Sequence, residues 1–299
     1  MSLIHVVVLA IIQGLAELLP VSSSAHVVVA EKLMGLDPSA PALTLLLVLL
    51  HTGTMFAVIV YFWRQWRATY FSSREAFVRF AYRVVIATAL TGVIGYGLAK
   101  LVVRAIFPGA EHAEVEQLFS HLELIAPALF AVGILIIVSD VIARRNAERA
   151  PEKLAAYRGA TSGQREMTLG QSAAIGFAQA LALPFRGFSR SGATISTGML
   201  AGVDKVTAEA FSFALAVVLT PPVVVREILR LHRQGTSLPP GGLHAAVWLS
   251  VLGGVLAFLA GLVALKWLSA WLERGRWIYF GVYCLVAAAV VEALHVAGF

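Results

Sequence analysis

Acidic, hydroxyl, imidazole and guanidinium side chains gather at two places in an otherwise apolar chain. The first holds Glu17, Ser22, Ser23, Ser24 and His26; the second holds Arg186, Ser189, Arg190, Ser191 and Gly192. A serine beside a carboxylate and an imidazole can be activated as a nucleophile, and the imidazole can itself attack or activate a water. The planar guanidinium fork of an arginine suits phosphate oxygens. Both serine clusters are expected just ahead of a helix, where side-chain caps, unpaired N–H groups and the helix dipole favour an anion. Two such helix starts facing a common point would suit a phosphate or a pyrophosphate. Gln13 stands four residues before Glu17, so the two share a helix face.

The elements that must carry these residues are membrane elements. Of 299 residues, 59% are hydrophobic and 13% charged, with a mean hydropathy of +0.82. Soluble domains carry about 25% charged residues, so the balance excludes an ordinary soluble fold, a disordered chain and a disulfide scaffold. The net charge of +6 is distributed over short loops between apolar runs, which reads as a topology signal and not as a nucleic-acid surface. The single cysteine, Cys284, excludes an intrachain disulfide and a cysteine-based metal site. The first apolar stretch lacks a basic leader and carries Gln13 and Glu17, so no cleavable signal peptide is expected.

Six stretches are long enough to span a bilayer: Leu43 to Trp63, Val84 to Val103, Leu124 to Ala143, Ala208 to Leu229, Ala245 to Leu265 and Trp277 to Ala297. Two more are broken. Leu3 to Leu19 stops at Pro20 and resumes from His26 to Met34; Leu169 to Leu183 stops at Pro184 and resumes from Ala193 to Ala201. Each broken pair is expected to form a re-entrant helical hairpin. The order hairpin, three spans, hairpin, three spans inverts the second half relative to the first, predicting a single domain of two inverted repeats near residues 1–143 and 169–299. Gln13-Gly-Leu-Ala and Gln179-Ala-Leu-Ala match in the two halves, each ahead of a proline. Inverted repeats with broken helices place their site near the midplane, where the halves meet.

The loops on one side carry 15 Lys and Arg residues and those on the other carry 5. The richer side is expected to be cytoplasmic, with both termini and the mouth of the first hairpin outside. Glu17, His26 and Arg190 would then lie at membrane depth, where an unpaired charge costs about 2.5–3.5 kcal/mol on insertion scales. Glu17 and Arg190 either neutralise each other or act on a substrate. His51, Asp140 and Glu292 also fall in spans and read as interhelical or helix-end groups.

The segments QGLAELLPVSSSAH and ALALPFRGFSRSGATISTGMLAGV, followed by HTGTMFAVIVYF and AEAFSFALAVVL, resemble the signature segments of the bacterial undecaprenyl-pyrophosphate phosphatases, the BacA/UppP bacitracin-resistance family. The resemblance implies a multi-pass inner-membrane enzyme that removes the terminal phosphate of undecaprenyl pyrophosphate, opens to the periplasmic side, depends on a divalent cation such as Mg or Ca, and forms a homodimer. Glu17 matches the second acidic residue of the family's ExxxE, Ser23 its motif serine, His26 its motif histidine and Arg190 the arginine of SRSG. Three positions depart: Gln13 replaces the first glutamate, Ala25 a glycine, and PFRG with Arg186 a Pro-Gly pair. With one carboxylate left, a cation would rest on Glu17, the carbonyl of Gln13 and substrate phosphates.

On that resemblance Glu17, Ser23, His26 and Arg190 are the catalytic candidates, and Ser22, Ser24, Arg186, Ser189, Ser191 and Gly192 the substrate-binding ones. Ser23, His26 and water stay open as nucleophiles. Two other functions fit the same elements: a lipid-phosphate flippase that binds at the hairpin tips without hydrolysis, and a scaffold in envelope assembly.

Overall fold

A computed structural model describes residues 2–37, 40–106, 122–149, 166–233 and 242–298. Among them it is entirely helical, with ten helices and no strand. They are α1 (Leu3–Leu18), α2 (Ser23–Leu33), α3 (Pro41–Thr69), α4 (Arg74–Ile106), α5 (Leu122–Arg149), α6 (Leu169–Leu181), α7 (Arg190–Leu200), α8 (Lys205–Arg233), α9 (Gly242–Glu273) and α10 (Ile278–Val296). Six of these, α3, α4, α5, α8, α9 and α10, are long and apolar enough to cross a membrane. Five of them contain the expected spans and extend past them, because the flanking charged residues continue each helix into the interface; α10 stops one residue inside the expected Trp277 and Ala297 at its two ends.

The two broken stretches are helix–turn–helix units whose arms pack on each other, α1 on α2 and α6 on α7. The first arms end at Leu18 and Leu181, short of the expected Leu19 and Leu183. The residue before a proline is pushed out of the helical region, so the helix stops ahead of Pro20 and Pro184. The second arms start earlier than expected, at Ser23 and Arg190, so the polar residues form the first turn instead of preceding it. The second turn depends on Gly187, whose φ is +101° and whose missing Cβ would stand 2.6 Å from the carbonyl O of Ile125. The far end of that unit is closed by a capping box at Thr168 and Gln171 and by Gln171 Nε2 donating to the Ala201 carbonyl at 2.9 Å.

The helices gather into two compact units that do not follow the halves of the sequence. One contains Met1–Leu19, Ser23–Trp63 and Ala216–Trp267; the other contains Pro20–Ser22, Arg64–Leu215 and Leu268–Phe299. In the first unit, Val6, Leu9 and Ala10 of α1 pack with Val27 and Ala30 of α2, Leu43, Leu46 and Leu50 of α3, and Ala257 of α9. These positions recur at helical spacing, so each helix presents one stripe to the cluster. Small residues set the closest approach: a Cβ on Gly14 would lie 2.6 Å from Ala260 Cβ and 2.7 Å from the Ala257 carbonyl. In the second unit α6 meets α4 the same way, with Gly176 against the backbone of Ala87. Each broken stretch thus leans its first arm on the middle span of the opposite half of the sequence. Lipid tails are as apolar as leucine, so close packing and interhelical hydrogen bonds hold such contacts together.

Tyr70, just beyond the first span, is buried and stacks on Phe80 with ring centroids 4.1 Å apart. Burial first, and then the negative charge of Asp204, push its hydroxyl well above the ordinary tyrosine value of 10.

Two outcomes follow from this packing. Gly14→Ala should lower the melting temperature of detergent-purified protein, at a cost of about 1–3 kcal/mol from overpacking. Gly92→Ala, with open space around its Cβ position, should melt like the parent. Because the folded state favours neutral Tyr70, its contribution is complete below the unfolded value and is lost as the pH climbs towards the higher folded value. Tyr70→Phe should therefore melt with a shallower decline above about pH 10 than the parent.

Candidate active site

Glu17 sits in the last turn of α1, and α2 begins after a break of four residues. Within the break Ser22 has a φ of +66°, the one non-glycine residue in the left-handed region among the described residues. That conformation costs about 1–2 kcal/mol and turns the chain sharply before Ser23 opens α2. As a result Ser23 Oγ donates to Glu17 Oε2 at 2.5 Å, a short bond of the kind a hydroxyl makes to a charged oxygen. Gln13 Nε2, one turn earlier on α1, donates to the same oxygen at 3.1 Å.

His51 of α3 completes the group, with Nε2 3.9 Å from Glu17 Oε2. Its other ring nitrogen, Nδ1, lies 2.8 Å from the Leu47 carbonyl one turn back. His26, half-buried, shares the first turn of α2 with Ser23, and Ser24 lies between them. The carboxylate, the hydroxyl and the two imidazoles belong to one compact unit.

The second cluster is built around a helix start. Ser189 is the N-cap of α7, its Oγ accepting from Gly192 N at 3.2 Å. Arg190 and Ser191 are the first two residues of the helix, and Ser189 Oγ and Ser191 Oγ are 3.4 Å apart. Deeper along α7, Thr194 Oγ1 meets Ser212 Oγ of α8 at 2.5 Å, and Ser196 Oγ accepts from Trp277 Nε1 at 3.1 Å. These bonds fix the face of α7 and so the direction of its first turn. Arg186 lies in the turn ahead of it, half-buried. The turn of the first broken stretch, Pro20–Ser22, is part of this same unit, where Cys284 Sγ lies 3.3 Å from the Pro20 carbonyl.

The two broken stretches differ where chemistry would differ. Gln13 and Gln179 occupy matching positions, and both are buried. Gln13 holds Glu17; Gln179 Nε2 donates to Thr91 Oγ1 at 3.1 Å, and that hydroxyl lies 3.0 Å from the Gly176 carbonyl. Four residues on from Gln179 stands Leu183 instead of a carboxylate. One stretch thus carries a carboxylate bonded to a hydroxyl, and the other has a leucine in its place.

The cation that the family resemblance implies does not fit the residues at Glu17. A carboxylate only accepts hydrogen bonds, so Gln13 must present its NH₂ to it, and the amide oxygen does not converge with it as a ligand. The same carboxylate oxygen is already taken by Ser23. No group of three or more His, Cys, Asp or Glu side chains stands ready for a metal among the described residues.

Three groups in the spans complete the inventory. Asp140 of α5 pairs with Arg144 Nε at 2.7 Å and Lys205 Nζ at 3.7 Å, the interhelical role expected of it. Glu292 is exposed near the end of α10. Glu209, absent from the sequence-based candidates, is buried in α8 and accepts from Ser269 Oγ of α9 at 2.7 Å; its place within AEAFSF was the available signal.

The model of the bacitracin resistance protein BacA family matches residues 6–290. The chain belongs to the BacA family. It is 54% identical over 98% of both chains to the undecaprenyl-diphosphatase 2 of Acinetobacter baylyi. It is 35% identical to the undecaprenyl-diphosphatase 2 of Burkholderia ambifaria and 34% to the undecaprenyl-diphosphatase 1 of Burkholderia pseudomallei, over 96% of this chain and 95% of each relative. Where the resemblance implies a glutamate, Gln13 sets a hydrogen-bond donor against Glu17 in place of an anion.

That exchange can be reversed. Gln13→Glu sets two carboxylates one turn apart, an arrangement that repels unless a cation joins it. Added Mg²⁺ or Ca²⁺ should raise the melting temperature of Gln13→Glu well beyond any effect on the parent; equal responses would remove the distinction drawn here.

Proposed function

We propose that the chain is an undecaprenyl-diphosphatase, cleaving undecaprenyl pyrophosphate to undecaprenyl phosphate and inorganic phosphate and so returning the lipid carrier for envelope glycan synthesis. The observation that carries this reading is the 2.5 Å bond from Ser23 Oγ to Glu17 Oε2 in a BacA-family chain with full-length relatives of that name. A carrier that only binds an anion needs no activated hydroxyl, so this bond favours hydrolysis over transport. The bond also favours Ser23 over His26 as the nucleophile.

In this reading Ser23 Oγ attacks the terminal phosphorus as its proton moves to Glu17 Oε2. The bridging P–O bond breaks and its electron pair stays on the departing undecaprenyl phosphate. Water then attacks the phosphoserine; one of its protons returns through Glu17 to Ser23 Oγ, and the other stays on inorganic phosphate. Gln13 holds Glu17 in line throughout. His26 shares the first turn of α2 with Ser23. Arg190 and Arg186 and the N–H groups at the start of α7 neutralise the pyrophosphate, with Ser22, Ser24, Ser189, Ser191 and Gly192 as further contacts. Phosphoryl transfer is promoted mainly by such positioning and charge neutralisation.

The same reading makes each broken stretch a re-entrant hairpin of an inverted repeat in the bacterial inner membrane. The site opens to the periplasmic side, both termini lie outside, and a homodimer is the expected assembly. The loop charge asymmetry supports this orientation.

Glu17→Gln and Arg190→Ala test the chemistry directly. Each should lose phosphate release from a polyprenyl pyrophosphate by at least about 100-fold while melting like the parent, the scale expected for removing a proton acceptor or a charge clamp. Turnover near that of the parent in either variant would remove the corresponding role.

A further inference from the structure

His51 carries a geometry that a purely structural histidine does not need. Its Nδ1 lies 2.8 Å from the Leu47 carbonyl, and a carbonyl accepts only, so Nδ1 bears the proton. In the neutral ring Nε2 is then a bare acceptor, and it faces another acceptor, Glu17 Oε2, across 3.9 Å. Two acceptors so placed gain nothing from one another until a proton comes between them. The reaction assigned to Ser23 delivers that proton, to that oxygen. The ring is also 43% exposed on its side chain, whereas Glu17 is 15% exposed, so His51 is the more accessible of the two.

We propose that His51 is a positioning residue for phosphoryl transfer, acting through Glu17 as the terminal acceptor of a Ser23–Glu17–His51 relay. The inference rests on the Ser23–Glu17 chemistry proposed above. As the Oγ–P bond forms and the bridging P–O bond breaks, the hydroxyl proton passes from Oγ to Glu17 Oε2 and from there to His51 Nε2, closing the 3.9 Å gap by a small side-chain shift. Glu17 is thereby restored as a carboxylate within the same step, and the Nδ1–H···O=C bond to Leu47 holds the imidazolium in place. Relays of this kind tighten only when substrate is bound, so the resting separation is the open form of the contact. His51 lies on α3, while Glu17 and Ser23 are on α1 and α2, so the relay needs all three of these helices.

The test compares His51→Gln, Glu17→Gln and the double variant for phosphate release from a polyprenyl pyrophosphate, with melting temperatures as the check on folding. His51→Asn replaces His51→Gln if the latter is not recovered folded. The relay predicts that His51→Gln lowers kcat about 10- to 100-fold with KM within about twofold of the parent, because an amide cannot take up a proton. It predicts no further loss when His51→Gln is added to Glu17→Gln, because His51 acts only through that carboxylate. It also predicts that imidazole in the buffer restores part of the activity of His51→Ala. A kcat for His51→Gln within twofold of the parent, a double variant in which the losses multiply, or no restoration by imidazole would each overturn the relay. An active Glu17→Gln would instead overturn the reading on which it rests, so the two failures are distinguishable.

Discussion

A carboxylate on an apolar helix has to be held by its own protein, since lipid offers no hydrogen bonds. Glu17 meets this demand with Gln13 from its own helix and Ser23 from across a break, while His51 of a neighbouring span stands 3.9 Å away. The requirement explains the local chain. A continuous helix through residues 17–23 would carry Ser23 beyond hydrogen-bond reach of Glu17, so Pro20 stops α1 and the left-handed turn at Ser22 brings the chain back. The strain of that turn is offset by the charge-assisted bond it makes possible.

The second broken stretch shows the same backbone device with different content. It too ends its first arm ahead of a proline and opens its second on serine and arginine, but a leucine stands at the position of the carboxylate. Its polar side chains are engaged in fixing α7: Ser189 caps it, Thr194 and Ser196 bind neighbouring helices, and Gln179 is tied to α4. The two stretches thus share a backbone device and differ in the side chains it carries.

Much of this was legible in the residues. Runs of about 20 apolar positions marked the six spans, and two prolines among polar residues marked the breaks, because both signals are local. Helix starts were misplaced by about three residues because serine and arginine look like flanking residues in composition, although they serve well in a first turn. The mixing of the two halves in each compact unit was not legible: glycine and alanine are spread over every span, and nothing in one helix says which partner will use them. His51 was passed over for the same reason. A single polar residue within a span reads as a helix-packing group, and its approach to Glu17 depends on how α3 packs against α1, which no spacing encodes.

The interleaving of the chain bears on how the protein is made. The compact unit that holds Glu17, Ser23 and His51 also draws on residues 216–267, and Gly14 docks on Ala257 and Ala260. A nascent polypeptide that has delivered its first five helices to the insertion machinery therefore already contains the reactive side chains, yet lacks the helix against which α1 is seated. The seat of α1 is therefore completed only once α9 has been made. Premature termination thus yields a species that carries Glu17, Ser23 and His51 without the helix that seats α1.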